Sequence, residues 1–473
     1  MKTKPSPTQQ ERDFRIHELF FSTTDKKGII RSGNDVFARV SGYPMAEMIE
    51  QPHNIIRHPE MPRAVFKLMW DYLKAGQSLV AYVKNMASDG AYYWVIALVT
   101  PLSDGYLSIR FKPSSPLFAA VQQIYQQLVT LERTLLGSGL KPKEAMDAAQ
   151  QKLEEILRDR GFASYDDFMH LALREELKSR EMLMRHSSET RPLFESSPTP
   201  EASEGSVLVH LAEHSASIAR TLEQLFARLD DFVLLSEKLE NKVELISELA
   251  HSMRFLSLNT RVESSRLNTH SQIITTIADL MKENSQQIAA NVTQIGDQLL
   301  DVVGTLKGII YDLAGARLQL EMLRTFLAEL IVKDENRMDN AAPGTQGNAL
   351  DRILALQWTF SQTYKRAVSS LLQFERRLRH LTTEGTQLQQ PVKTLQIVHL
   401  VGRVEIARYA QLAGFGHILD EIFDRTRSTK TELDDLTSAI TTLLARVSGL
   451  EKIDREVSSS LEQIAFSTRS LEA

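Results

Sequence analysis

The spacing of apolar residues changes once along this chain, near Pro113, and the change splits it into two kinds of structure. Upstream, short β-rich runs alternate with turn signals. Residues 78–86 and 92–100 read as strands joined by the turn Ala87-Ser88-Asp89-Gly90, and 106–111 as another strand after Ser103-Asp104-Gly105. Residues 62–75 read as a helix, with proline near its first position, apolar Val65, Phe66, Met69, Trp70 and Leu73, and Gly76 as its stop. The segment Thr24-Asp25-Lys26-Lys27-Gly28 makes a turn between two earlier strands. These elements predict a small α+β domain on an antiparallel sheet with flanking helices. Downstream the period is helical: 117–136, 142–160 and 165–185 predict three helices, and longer tracts follow.

The expected organisation is an N-terminal cap at 1–19, the α+β domain at 20–113, connecting helices at 114–186 and a Ser/Pro/Glu-rich linker at 187–206. A long helical bundle or coiled-coil region then occupies 207–333, a second linker 334–349, and further helices 350–473. At 42% hydrophobic and 24% charged residues, the chain is too apolar for global disorder. The absence of cysteine excludes disulfides, thiolate metal sites, cysteine nucleophiles and iron–sulfur ligation. No apolar run approaches the ~20 residues of a membrane helix, and no apolar stretch follows the first lysines, so a cytoplasmic protein without a membrane partner is expected. Residues 1–113 hold 15 Lys/Arg against 11 Asp/Glu, a balance of +4, and the remainder carries −9. Without a dense basic run, nucleic acid is not an expected partner.

The most particular segment is Pro52-His53-Asn54-Ile55-Ile56-Arg57-His58-Pro59-Glu60-Met61-Pro62. Taken with Asn34-Asp35-Val36-Phe37, Val40-Ser41-Gly42-Tyr43, Val83-Lys84-Asn85 and Tyr93-Trp94-Val95, it resembles the PAS domain of bacterial aerotaxis receptors over residues 20–113. That resemblance implies non-covalent FAD whose redox state is the signal. It implies flavin contacts from Arg57, His58, Glu60 and Trp70, with Asn34 and Asn85 as secondary candidates. Glu60 stands where the family usually has aspartate, and Gln77-Ser78 where a tryptophan is common. The residue chemistry runs parallel: Arg57 offers charge-assisted hydrogen bonds to phosphate, Trp70 a surface for a planar ring, and asparagine amides suit an imide edge. Read from spacing alone, Trp70 and Phe66 also suit a helix core, and His58 a helix cap. Haem is the alternative ligand, with His53 and His58 as possible axial groups, and a ligand-free dimerisation scaffold is a third reading.

No phosphate-binding glycine loop, metalloprotease helix or nucleophile elbow is present, so the chain is expected not to be an enzyme. Leu256-Ser257-Leu258-Asn259-Thr260-Arg261-Val262-Glu263-Ser264-Ser265-Arg266 looks like the tip sequence of chemotaxis receptors, without the glycine-rich turn beyond it. Leu400–Arg408 repeats part of it. The resemblance nominates Asn259, Glu263, Arg266 and Glu405 as partner contacts, the partner being a signalling protein and, in one alternative, a chemotaxis histidine kinase.

Ile218, Leu222, Leu225, Leu229, Phe232, Leu239, Val243, Ile246, Ala250 and Met253 follow steps of four and three, interrupted at Ser236. That seam suits a coiled coil and predicts a homo-oligomer. Residues 207–473 produced without the front domain are expected to self-associate at roughly tens of micromolar, where moderate interfaces are populated. Light scattering that finds only monomer there would reassign the seam to packing within one chain.

Overall fold

The computed structural model describes residues 5–186, 207–227, 272–335, 346–407, 413–447 and 450–469, with positions 238, 241, 248, 251 and 255. Five strands, β1 (Phe20–Asp25), β2 (Ile30–Gly33), β3 (Leu79–Met86), β4 (Tyr92–Pro101) and β5 (Gly105–Phe111), pair antiparallel in the order β2-β1-β5-β4-β3. Between β2 and β3 the chain makes α1 (Asp35–Ser41), α2 (Met45–Met48), a 3-10 turn (His53–Ile56) and α3 (Arg63–Lys74). The hairpin and α3 lie where the sequence predicts them. Helices α1 and α2 are too short to show a period; α1 is instead marked by its N-cap, Asn34, whose side chain accepts from the Phe37 amide.

Strand β4 has eight consecutive buried residues, Tyr93 to Thr100, so it lacks the in–out alternation of a half-solvated sheet. The reason is that both faces of the sheet are covered. Tyr93, Val95, Ala97 and Val99 pack with Phe37, Val40, Met48, Ile56 and Leu73 from the helices of the domain. Trp94 and Tyr82 lie on the opposite face, against the helices that follow Pro113: α4 (Leu117–Gly137), α5 (Pro142–Asp159) and α6 (Tyr165–His186). Phe118 meets the rings of Tyr82 at 6.0 Å and Trp94 at 5.4 Å. Tyr125 and Tyr165 donate their hydroxyls to the carbonyls of Tyr82 and Val80, at 3.0 and 2.9 Å. Each large apolar side chain buried in this way contributes about 1.5–3 kcal/mol, and the hydroxyl bonds fix which tyrosine goes where.

One carboxylate joins three of these pieces. Glu176 on α6 is fully buried and accepts from the Tyr82 hydroxyl (2.8 Å), the Ser115 hydroxyl (2.8 Å) and the amides of Ser114 and Ser115. It therefore ties β3 and the entry to α4 onto α6. Four residues on, Arg180 makes a bidentate pair with Glu321 (2.8 and 3.0 Å) and donates to the carbonyls of Ile16 and His17.

After α7 (Val207–Ala227) come α8 (Gln272–Glu335), α9 (Gln346–Gln387), α10 (Gln389–Ile406), α11 (Ala413–Val447) and α12 (Leu450–Arg469). The described chain forms two compact units. The first holds the sheet, residues up to 226, Ile310–Ala367 and the segment from Ile453 on; the second holds Ala227–Ile309 and Val368–Lys452. In the first unit, Phe326 of α8 meets Phe21 edge-on at 5.1 Å, and Gln319 donates to the Thr100 hydroxyl. Along α8, buried Ile288, Val292, Ile295, Leu299, Val302, Leu306, Ile309 and Leu313 follow alternating steps of four and three. Of the seam predicted from the sequence, Ile218 and Leu222 are buried, and the side chains from Leu225 to Met253 lie outside the described residues.

Glu176→Ala should cost about 3 kcal/mol or more, because several buried donors lose their acceptor at about 1–3 kcal/mol each; Glu176→Gln should cost less. Denaturant unfolding measures both, and a loss under about 1 kcal/mol for the alanine variant would remove Glu176 from its structural role.

Candidate functional site

Period-two placement on four strands builds the floor of a cavity inside the domain. Ser22 and Thr24 of β1, Val83 and Asn85 of β3, Ala97 and Val99 of β4, and Tyr106, Ser108 and Arg110 of β5 all face it. The register aligns Ser22 with Ser108 and Val99 with Ser108 in one row, and Arg110 with Ala97 in the next. Most of these side chains are small, which leaves a volume of about 260 Å³. The roof is helical: His53 from the 3-10 turn, Arg57, and Phe66, Met69, Trp70 and Leu73 of α3. Gly28, at φ +80°, sits under the edge of Trp70, where an added Cβ would lie 3.3 Å from the ring. Trp70 in turn meets Tyr106 edge-on at 5.5 Å.

A second, wider cleft of about 740 Å³ lies on the far side of the same roof, between α3 and the helices α4 and α5. Arg57, Phe66 and Trp70 border both spaces. Arg57 is held there by donating to the Met61 carbonyl at 3.0 Å, with its guanidinium 4.1 Å above the Phe66 ring.

The inner cavity contains unusual polar groups. Arg110 is only 4% exposed, yet it pairs with no carboxylate among the described residues. It donates to the Ser22 hydroxyl at 3.0 Å and to His53 Nε2 at 2.7 Å, and stands 5.3 Å from the Phe37 ring centre. A guanidinium can only donate, so Nε2 of His53 is the acceptor and the imidazole is neutral. Burial, reinforced by the Arg110 charge, pushes the His53 pKa down to about 3, and burial lowers that of Arg110 to about 10. Asn85 Nδ2 and Ser108 Oγ are buried without a hydrogen-bond partner among the described residues. Such groups are costly unless something satisfies them.

The six residues nominated for a flavin separate in space. Arg57 and Trp70 border both cavities, Asn85 the inner one and His58 the outer one. His58 is buried and its Nδ1 accepts from the Glu60 amide at 3.2 Å. Glu60 borders neither cavity: it pairs with Lys84 at 2.6 Å, and that hydrogen bond holds its carboxyl below the usual range. Asn34 also borders neither. Besides capping α1, it accepts from the Phe21 amide and donates to Leu19 and to Glu329 of α8. Arg110, Ser108 and Ser22 carry the floor chemistry but belong to no motif. Their signal is the alternation of Tyr106, Ser108 and Arg110, polar inward positions on a strand whose outward residues are apolar.

In the helical region, Asn259, Glu263 and Arg266 lie outside the described residues. Glu405 is buried at 8% exposure. What α10 does present is an apolar stripe, Ile397, Leu400, Val401 and Val404. Among the described residues no helix is long and apolar enough to cross a membrane, and none of their side chains form a metal-binding cluster.

Residues 31–107 match the PAS fold family, and this part of the chain is a PAS domain. The aerotaxis receptor of Escherichia coli K12 is 40% identical over 133 residues, 27% of this chain and 26% of that receptor. The nitrogen fixation regulatory protein of Klebsiella pneumoniae is 31% identical over 81 residues, 17% of this chain and 16% of that protein. The chain thus spans about a quarter or less of the length of these relatives. Among solved structures, the PAS domain of a protein from Colwellia psychrerythraea is 20% identical, covering 20% of this chain and 85% of that one, with a TM-score of 0.18. A light-oxygen-voltage domain studied with a flavin analogue is 22% identical, covering 22% and 85%, with a TM-score of 0.21.

Neutral, half-buried His53 ties stability to pH. Between about pH 3 and 6.5 the unfolded chain binds a proton at this site and the folded one does not, so stability falls as pH drops below 6.5. The contribution is at most about 1.4 kcal/mol per pH unit. His53→Gln should flatten the melting temperature against pH below 6.5 and match the wild-type slope above pH 7.5; parallel curves throughout would show that His53 titrates normally.

Proposed function

We propose that the PAS domain binds FAD non-covalently and reports redox state, or oxygen through it, to the helices that follow. The observation that carries this reading is the floor of the inner cavity. Arg110 lacks a carboxylate there, and Asn85 Nδ2 and the Ser108 hydroxyl lack a hydrogen-bond partner among the described residues. These groups fit the polar edge of a flat heteroaromatic ring, and Phe66, Met69 and Trp70 fit its faces. The inner and outer spaces, about 260 and 740 Å³, together offer the roughly 300–1,000 Å³ typical of small-molecule sites. The 40% identity to a protein named as an aerotaxis receptor supports the same reading.

FAD supplies reversible electron acceptance, and the rest is done by this chain's side chains. Arg110 is a fixed positive charge in a low-dielectric floor, so it favours whichever ligand state carries more negative charge at that edge. Asn85 can donate through Nδ2, and Ser108 through its hydroxyl. Trp70 packs over Gly28 at the edge of the cavity. Haem is less well served: His53 Nε2 already accepts from Arg110, and His58 borders the other cleft.

The output is mechanical. Strands β3 and β4 carry cavity residues on one face and, on the other, Tyr82 and Trp94 against α4 and α6. A change of charge in the cavity thereby biases the packing of those helices. The protein is read as a non-enzymatic, cytoplasmic signalling protein that self-associates through its helices and acts on another protein.

Purified protein should show the absorption bands of a flavin. Arg110→Leu should lower flavin affinity about tenfold or more, the loss of one charge-assisted bond of about 1.5–3 kcal/mol, whereas Arg31→Ala, at a surface ion pair with Asp104, should not. A Soret band would convert the assignment to haem, and a colourless protein that takes up no added flavin would leave a dimerisation scaffold.

A further inference from the structure

The outer cleft has a wall that the PAS domain does not supply. Val129, Glu132, Arg133 and Leu136 come from α4 and Met146 from α5, facing Arg63, Lys67 and Lys74 of α3. Glu132 explains how that wall is fixed. Its carboxylate accepts from the first two amides of α3, Arg63 at 2.9 Å and Ala64 at 2.8 Å, and is itself buried. The anion a helix start attracts is therefore already provided by α4. Lys67 is engaged as well, at 2.7 Å from Gln150 and 3.2 Å from Asp71.

The remaining cations are different. Arg63, Lys74 and Arg133 border the cleft and form no ion pair with a carboxylate among the described residues. They stand around an apolar base of Val129, Leu136, Met146 and the outer face of Trp70. Cations around an apolar floor suit a ligand with two or more phosphates attached to a flat base. The cleft meets the inner cavity at Arg57, Phe66 and Trp70, so one elongated ligand can occupy both.

We infer that the diphosphate and adenosine half of a flavin dinucleotide lies in this cleft, held by Arg63 of α3 and Arg133 of α4. The inference rests on the flavin reading of the inner cavity and adds to it a site built partly by the connecting helices. The ligand would then bridge the sensor domain and the first helices of the output directly, as well as through the sheet.

Binding of riboflavin and of FAD to apo-protein, each followed by quenching of flavin fluorescence, separates the two claims. Wild type should bind FAD at least tenfold tighter than riboflavin. In Arg63→Ala/Arg133→Ala that ratio should fall towards one, and in Arg133→Lys much of it should survive. Both arginines are exposed, and circular dichroism checks that the double variant is folded. Equal affinities for the two ligands in wild type, or an undiminished ratio in the double variant, would overturn the cleft assignment while leaving the inner cavity a flavin site. Failure of riboflavin and FAD alike to bind would overturn both.

Discussion

The sheet of this protein is buried on both faces, and the rest of the first unit follows from that. A half-solvated PAS sheet would need polar residues on its outer side; here Tyr82, Trp94, Ile96 and Leu98 are buried instead. Covering them requires α4, α6 and part of α8, and seating those helices requires polar anchors that fix register. Glu176 and Arg180, one turn apart on α6, are those anchors. One gathers the sheet and the start of α4; the other gathers the N-terminal segment and α8.

The same arrangement makes the sheet the partition between the inner cavity and the helices that follow Pro113. Inward positions on β3, β4 and β5 are small or polar and leave space, while the outward positions are large and leave none. A packed interface has discrete arrangements rather than a continuum, so under the proposed reading a small change on the inward side would be expressed outside as a choice between packings. Buried Arg110 is suited to start such a change, since in a low-dielectric floor the charge state of whatever lies against it matters most.

Much of the domain was legible in the sequence because its elements have strong local signals. The Ala87–Gly90 turn, the α3 periodicity ending at Gly76 and the segment around Arg57 all survive as local features of the fold. What escaped has a non-local cause. Arg110 looks like an ordinary charged residue near a strand end, and only the pairing of β5 between β1 and β4 puts it inside. Glu60 sits among pocket-lining Arg57, His58, Pro59 and Met61, yet the chain turns it towards Lys84, and Asn34 is turned towards Glu329. In the helices, the four-three spacing that begins at Ile218 and Leu222 stands out, whereas the similar seam from Ile288 to Leu313 is flanked by further apolar residues such as Ala289, Leu300, Val303 and Ile310, which blur its period.

Asn34 lies near the beginning of the chain, and one of its hydrogen-bond partners, Glu329, lies 295 residues later. The ribosome delivers these pieces at different times. The last strand ends at Phe111, whereas the portion of α8 that covers Phe21 and Thr100 begins near Ile310. At about 5–20 residues per second, that interval is roughly 10–40 s. For that time part of the sheet's outer face is exposed on a nascent chain, and it is there that a chaperone has something to hold.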